Sequence, residues 1–378
     1  MLSAERYLEL LVRQHDNGTF WPPGGTRQRN LIRDLQTGGD YFRKLGDERE
    51  HREQYGLPAY AKASDLGRVY LRELILDPLL NVLDGPEREQ LAAVPIGFLT
   101  LRMLNARAFK SPCGDPVIVV NQGLPSLLSE FKEVQIEAVH LHDQTDAATE
   151  NAYRRAWYRF ILAQFDGIHP FDNGLLETPG NLLQAKAAIR LPEPTIFFTY
   201  LDVVGAEMFV LAHELAHVTA GHLDAAEVRS VAPDGSAPSP DKEDLTCYEL
   251  SWQQEYEADR LGFLHFLKAW PHAPMHPPGF PITPPEIISP LSLFELLHLV
   301  ESNLESPDAY GTHPPAWRRA VEIIRIISEQ YDLAAPENAD LRALCVSYGH
   351  HLEAIQQFDI HGGDDRRPKR KWRRWLNS

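Results

Sequence analysis

Cysteine is scarce in this chain. The 378 residues include three cysteines, which lie far apart and form no Cys-x-x-Cys pair. This spacing argues against a disulfide framework and a cysteine-based zinc knuckle. A reducing compartment suits such a chain best, so the sequence predicts a cytoplasmic protein.

Long apolar runs are also missing. The most apolar stretch, residues 195–212, is interrupted by Asp202 and Glu207 and falls short of the roughly 20 apolar residues that span a bilayer. Near the N-terminus, Glu5 and Glu9 stand where a signal peptide needs an apolar core, and the pattern indicates an amphipathic helix instead. Neither a membrane span nor a secretion signal is predicted.

Basic residues are in the minority. The chain has 37 Lys and Arg against 53 Asp and Glu, for a formal net charge of −16, which argues against a general binder of the phosphate backbone. A basic tail at residues 366–378, which carries two tryptophans, is the exception. It could contact nucleic acid or an anionic membrane surface, dock on the acidic body of the chain, or be disordered.

Hydrophobic periodicity predicts an α+β protein that is mainly helical. We expect a helical N-terminal region at 1–95, a core at 96–335, and a C-terminal helix with the basic tail at 336–378. The core would contain an insert at about 124–200 and an extended Pro-rich connector at 271–290. No internal repeat is found.

Four elements of the core have distinct sequence patterns. Strands are predicted at 117–120, where four β-branched residues are consecutive, and at 134–142. Long helices are predicted at 205–222 and 244–270. The two helices carry the residues with the clearest chemical signal.

The first helix contains the motif His213-Glu214-Leu215-Ala216-His217. The 3.6-residue helical period places the two histidines one turn apart on one face, so that both can bind the same metal ion. Glu214 lies beside them as a candidate general base. His222, five residues further on, lacks the spacing of a third ligand and is interpreted as a packing residue or helix end.

The second helix supplies the third ligand. A catalytic zinc usually adds a histidine or carboxylate from a separate element, and Glu255 is our candidate. Asp259 shares its face four residues later and could accept the free N–H of a ligating histidine. Glu257 points about 200° away from Glu255 around the helix, which favours solvent or a pair with Arg260.

These motifs resemble those of a known family, the HtpX-like and CAAX prenyl protease-like zinc metallopeptidases, which are gluzincins. The His-Glu-x-x-His helix is the first match. The others follow in the family's order: Glu255-Tyr256-Glu257-Ala258-Asp259; Thr312-His313-Pro314-Pro315 with Arg319; and, before the helix, Asn105-Ala106 with Phe109, the strand at 117–120 and Gly123. In this chain, about 80 residues separate that strand from the motif helix. The absence of membrane spans indicates a soluble branch, so prenylated or membrane substrates are not implied.

The resemblance implies a zincin-type core with an active-site helix, a small β-sheet and a second, ligand-bearing helix. It would hold one zinc ion per chain and use Glu214 as the base that activates water. His313 would stabilise the transition state, with Tyr310 as a neighbour that could serve instead, and Arg319 would hold the loop. His313 could also take the fourth zinc position and keep the enzyme inactive at rest.

A further expectation concerns the strand that contains Val117, Ile118 and Val119. If this strand lies at the edge of the sheet, it could pair with an extended substrate through main-chain hydrogen bonds.

The sequence therefore predicts a zinc-dependent metallopeptidase that hydrolyses polypeptides. Two alternatives stay open: a regulatory or conflict-system protein whose peptidase core targets one specific protein, and a zinc-bound binding scaffold without turnover. Nothing in the sequence indicates the substrate or the oligomeric state.

Overall fold

The computed structural model describes most of the predicted core. The described residues are 3–15, 71–99, 106–121, 123–142, 147–162, 193–225, 227–231, 245–249, 252–274, 276–303 and 313–357. Tyr310 and the basic tail at 366–378 lie outside them. Across the described residues, no helix combines the length and the apolar character needed to cross a membrane.

Helices account for most of the described residues, as predicted. They are α1 Ala4–His15, α2 Asp77–Asn81, α3 Gly85–Ala92, α4 Gly123–His142, α5 Ala147–Leu162, α6 Glu193–Thr219, α7 His222–Ala225, α8 Trp252–Ala269, α9 Pro284–Ile288, α10 Leu291–Asn303, α11 Ala316–Gln330 and α12 Ala339–Gln357. A π-helical turn, Leu71–Leu76, leads into α2, and single 3₁₀ turns stand at Trp270–His272 and Pro336–Asn338.

The strands form two small sheets. They are β1 Ile96–Leu99, β2 Ala106–Lys110, β3 Pro116–Asn121, β4 Glu227–Val231 and β5 Leu245–Glu249. In the three-stranded sheet the order is β1-β3-β2. Strand β3 pairs in parallel with β1 and antiparallel with β2, while β4 and β5 form an antiparallel pair. The α+β class is confirmed.

The chain divides into two compact units, each built from separate segments. The first comprises Met1–Leu124, Val210–Glu249 and Leu264–Pro281, and the second comprises Pro125–Phe209, Leu250–Phe263 and Ile282–Ser378. The division into three consecutive regions stays a prediction.

Helix α1 packs on the three-stranded sheet in the first unit. Its buried residue Leu8 lies directly over Gly97 of β1, where an added Cβ would come within 2.5 Å of the leucine side chain. Leu11 joins Phe109 and Val117 in the same apolar cluster. The amphipathic N-terminal helix is thus confirmed, and its apolar face covers the sheet.

In the second unit, α10, α11 and α12 pack together around aromatic side chains. The Phe294 ring lies 5.7 Å from the ring of Phe209 on α6. The buried Tyr348 hydroxyl donates a hydrogen bond of 2.5 Å to the carbonyl oxygen of Leu291. Lys132 and Asp202 form an ion pair of 3.1 Å between α4 and α6.

The predicted strand at 134–142 is wrong, because these residues form the second half of α4. Its buried residues include Leu127, Phe131, Val134 and Ala138, which recur every three to four positions along one helical face. The apolar run is therefore a helix face, and strand propensity does not decide its conformation.

Other predicted elements differ in their bounds. The helix expected at 205–222 begins earlier, at Glu193, and ends at Thr219. The helix expected at 244–270 begins at Trp252, because residues 245–249 pair with β4 over five positions. The connector at 271–290 is not extended throughout, since it ends in α9. There the Glu286 carboxylate accepts hydrogen bonds of 2.7 Å from the Thr283 N–H and hydroxyl. These bonds cap the start of α9, in which Ile287 is buried.

Candidate metal centre

Helix α6 presents the two histidines of the motif toward one point. The Nε2 atoms of His213 and His217 lie 3.0 Å apart, and both rings are buried. The adjoining residues Ala212, Leu215 and Ala216 are buried as well. The helical period brings the rings together, as predicted from their spacing.

Glu255 on α8 completes a group of three candidate ligands. One ligand atom from each of His213, His217 and Glu255 lies within 4.8 Å of the other two. Glu255 is 0% exposed, which is unusual for a carboxylate unless it is paired or binds a metal. The structure brings together the three ligands that the sequence predicted.

This donor set suits zinc. Two imidazole nitrogens and a carboxylate oxygen are the ligands of many catalytic zinc sites, with Zn–N distances of about 2.0–2.1 Å. Tetrahedral geometry at that bond length separates two ligand nitrogens by about 3.3 Å, close to the 3.0 Å observed between the two Nε2 atoms. The two imidazole nitrogens are therefore spaced to bind one ion.

His217 also contacts a third histidine on its other side. Its Nδ1 lies 2.9 Å from Nδ1 of His222, which is buried at the start of α7. Gly221 makes this contact possible, because its φ of +69° reverses the chain just after α6 ends. His222 is therefore a buried neighbour of a candidate ligand, a role that its sequence position did not reveal.

Glu214, between the two histidines in sequence, is held by the sheet. Its Oε2 accepts a hydrogen bond of 2.5 Å from the backbone N–H of Ala108 on β2. The carboxylate is buried. Strand β2 thus fixes the orientation of the predicted general base.

Asp259 and Arg319 form a bidentate pair. The Nε and Nη2 atoms of Arg319 donate to the two Asp259 oxygens at 2.8 and 2.6 Å, and Nη1 lies 3.9 Å from Glu255 Oε2. The two oxygens of Asp259 accept from Arg319, and the expected bond from a ligating histidine stays a prediction. Arg319, expected to hold a loop, joins α11 to the ligand-bearing helix.

His313 lies next to the candidate ligand Glu255. Its Nδ1 is 3.0 Å from Glu255 Oε2, and its side chain is 42% exposed.

Glu301 caps the start of helix α11, which follows His313. The first N–H of that helix, from Ala316, donates to the two oxygens of Glu301 at 3.1 and 3.0 Å. Burial raises the pKa of Glu301 to about 7, although the bond from Ala316 and the nearby Arg319 and His313 favour its charged form.

Val117, Ile118 and Val119 do not lie at the edge of their sheet, so the condition for pairing with a substrate is not met. Their strand, β3, is the central strand of its sheet, with β1 on one side and β2 on the other. Ile118, for example, is paired with Ile96 of β1 and with Ala108 of β2. A strand whose hydrogen-bonding groups are used on both sides cannot pair with a substrate.

Comparisons of the chain with protein-family models, with curated proteins and with solved structures give no significant match.

Proposed function

We propose that this protein is a zinc-dependent peptidase with a zincin-type core, as the resemblance of its motifs to the HtpX-like and CAAX prenyl protease-like family implies. One observation carries the proposal: the buried group of His213, His217 and Glu255, with Glu214 next to the first histidine in sequence. Two imidazoles and one carboxylate leave a position open for water or substrate on a four-coordinate zinc ion. If the protein were a zinc-bound scaffold without turnover, the buried Glu214 would have no chemical step to perform.

When bound, zinc would supply a positive charge that polarises a peptide carbonyl and lowers the pKa of a water molecule to about 7. The remaining steps belong to the side chains of this protein. Glu214 takes the proton of the attacking water and delivers it to the nitrogen of the leaving amine. The Ala108 N–H bond to Oε2 keeps the carboxylate in one orientation through both transfers.

His313 is the candidate donor to the oxygen that becomes negative in the transition state. Its Nδ1 lies 3.0 Å from Glu255 Oε2, so the imidazole lies beside the third candidate ligand. The guanidinium group of Arg319 holds Asp259 and lies close to Glu255. Together these residues would hold the third ligand, on α8, next to the donor, which precedes α11.

The experiment that tests the proposal measures metal content of freshly purified protein by mass spectrometry, in wild type and in Glu255→Gln. Glutamine keeps the size of the side chain but loses its charge. We expect about one zinc ion per wild-type chain and a much lower zinc content in the variant.

Glu257→Gln is the matched control, because Glu257 lies on the same helix and is exposed. We expect this variant to bind zinc like wild type. Wild-type protein that takes up no zinc even after reconstitution would contradict the proposal. Loss of zinc in Glu257→Gln with retention in Glu255→Gln would show that the ligand has been wrongly assigned.

A further inference from the structure

Each ring nitrogen of His217 has a different neighbour. Nε2 faces Nε2 of His213 at 3.0 Å, within the candidate metal centre, and Nδ1 faces Nδ1 of His222 at 2.9 Å. The rings of His217 and His222 have centroids 5.1 Å apart and planes inclined by 62°. The two contacts lie on opposite sides of one imidazole.

From this geometry we infer that His222 is a positioning residue that fixes the tautomer and the ring orientation of His217 for metal binding. The inference rests on the proposed zinc centre. It adds a residue outside the ligand set that determines how tightly the metal is held.

The tautomer follows from the ligand chemistry. A histidine that binds a metal through Nε2 keeps its remaining proton on Nδ1, so Nδ1 of His217 must donate a hydrogen bond. The atom that faces it, Nδ1 of His222, must then accept, which places the proton of the neutral His222 ring on Nε2. One hydrogen bond thereby fixes which nitrogen of His217 carries the lone pair toward the metal.

His222 does not qualify as a further ligand of the same ion. The lone pairs of the two imidazole nitrogens diverge, so a group that meets Nδ1 of His217 lies on the side of the ring away from the ion. The buried position of His222, 4% exposed, keeps water from competing for that nitrogen. Its contact with His217 depends on the turn at Gly221, whose positive φ starts α7 directly after α6.

The test compares two substitutions of nearly equal shape, His222→Asn and His222→Leu. The Oδ1 atom of asparagine stands where Nδ1 of histidine stood and can accept the bond from His217. Leucine has a similar volume but no acceptor. Zinc affinity is measured by competition with a chromogenic chelator, and the Co²⁺-substituted proteins are compared by their visible absorption spectra.

We expect His222→Leu to lower zinc affinity by about 10- to 100-fold, the range found for partners of ligating histidines. His222→Asn is expected to stay within a few-fold of wild type and to keep the wild-type Co²⁺ spectrum. The control is His350→Leu, at an exposed histidine on α12. We expect it to change neither the zinc affinity nor the Co²⁺ spectrum. Circular dichroism of each protein shows that the variants are folded.

The possible results separate this inference from the proposed function. Equal weakening in the asparagine and leucine variants would show that His222 acts by packing alone, and unchanged affinity in His222→Leu would show that it does not act at all. Either result overturns the inference while the zinc centre stands. A wild-type protein without zinc affinity would overturn both.

Discussion

At the scale of single residues, Glu214 separates metal binding from chemistry. The substitution Glu214→Gln keeps an oxygen that can accept the bond from the Ala108 N–H but removes the group that takes up a proton. We expect this variant to bind zinc like wild type and to lose about 10²- to 10⁴-fold in peptide hydrolysis, the range that general base catalysis supplies. Zinc content and cleavage of unfolded casein are measured on the same preparations.

Turnover close to wild type in Glu214→Gln would remove the residue from the role of base. Cleavage of casein by the wild type favours a general peptidase, whereas a zinc-loaded wild type that leaves casein intact favours the alternative of a single protein target. For that alternative, the Glu214→Gln protein is the reagent of choice, because it would retain a bound substrate without cleaving it.

At the scale of secondary structure elements, the start of α11 predicts a pH dependence. Glu301 accepts the first N–H of that helix, and burial raises its pKa to about 7, above the ordinary value of about 4.3 that it has in the unfolded chain. Between these values the unfolded chain loses the proton first, so the free energy of unfolding falls as the pH rises. Above about pH 7 the Glu301 carboxyl is charged in both the folded and the unfolded chain, so the free energy of unfolding falls no further.

Glu301→Gln removes this titration and keeps an acceptor for Ala316. Relative to wild type, we expect the variant to gain stability on the order of 2 kcal/mol as the pH rises from 4.5 to 7.5. Thermal unfolding of both proteins across this range measures the gain. A difference that stays constant with pH would contradict the assignment of the raised pKa to Glu301.

The same scale shows what the sequence could predict. His213 and His217 are four residues apart on one helix, so their meeting follows from local geometry alone. Glu255 is predicted as a ligand because a catalytic zinc usually takes its third ligand from a separate element, and the structure brings it close to the two histidines. The contact between Ala108 and Glu214, which are far apart in the chain, and the central position of β3 depend on sheet order, which a strand's own residues do not specify. The contact of His222 required the turn at Gly221.

At the scale of the whole molecule, the proposed zinc centre, whose candidate ligands lie on two helices, would link zinc binding to folding. The candidate ligands come together only in the folded chain, so zinc would stabilise that state by an amount that grows with its concentration. At a free zinc concentration of 100 times Kd, we expect the free energy of unfolding of wild type to rise by about 2.7 kcal/mol. Glu255→Gln, whose Kd is higher, should gain less at the same concentration. Chemical denaturation with and without zinc measures the gain, and an equal gain in both proteins would mean that zinc stabilises the fold from another site.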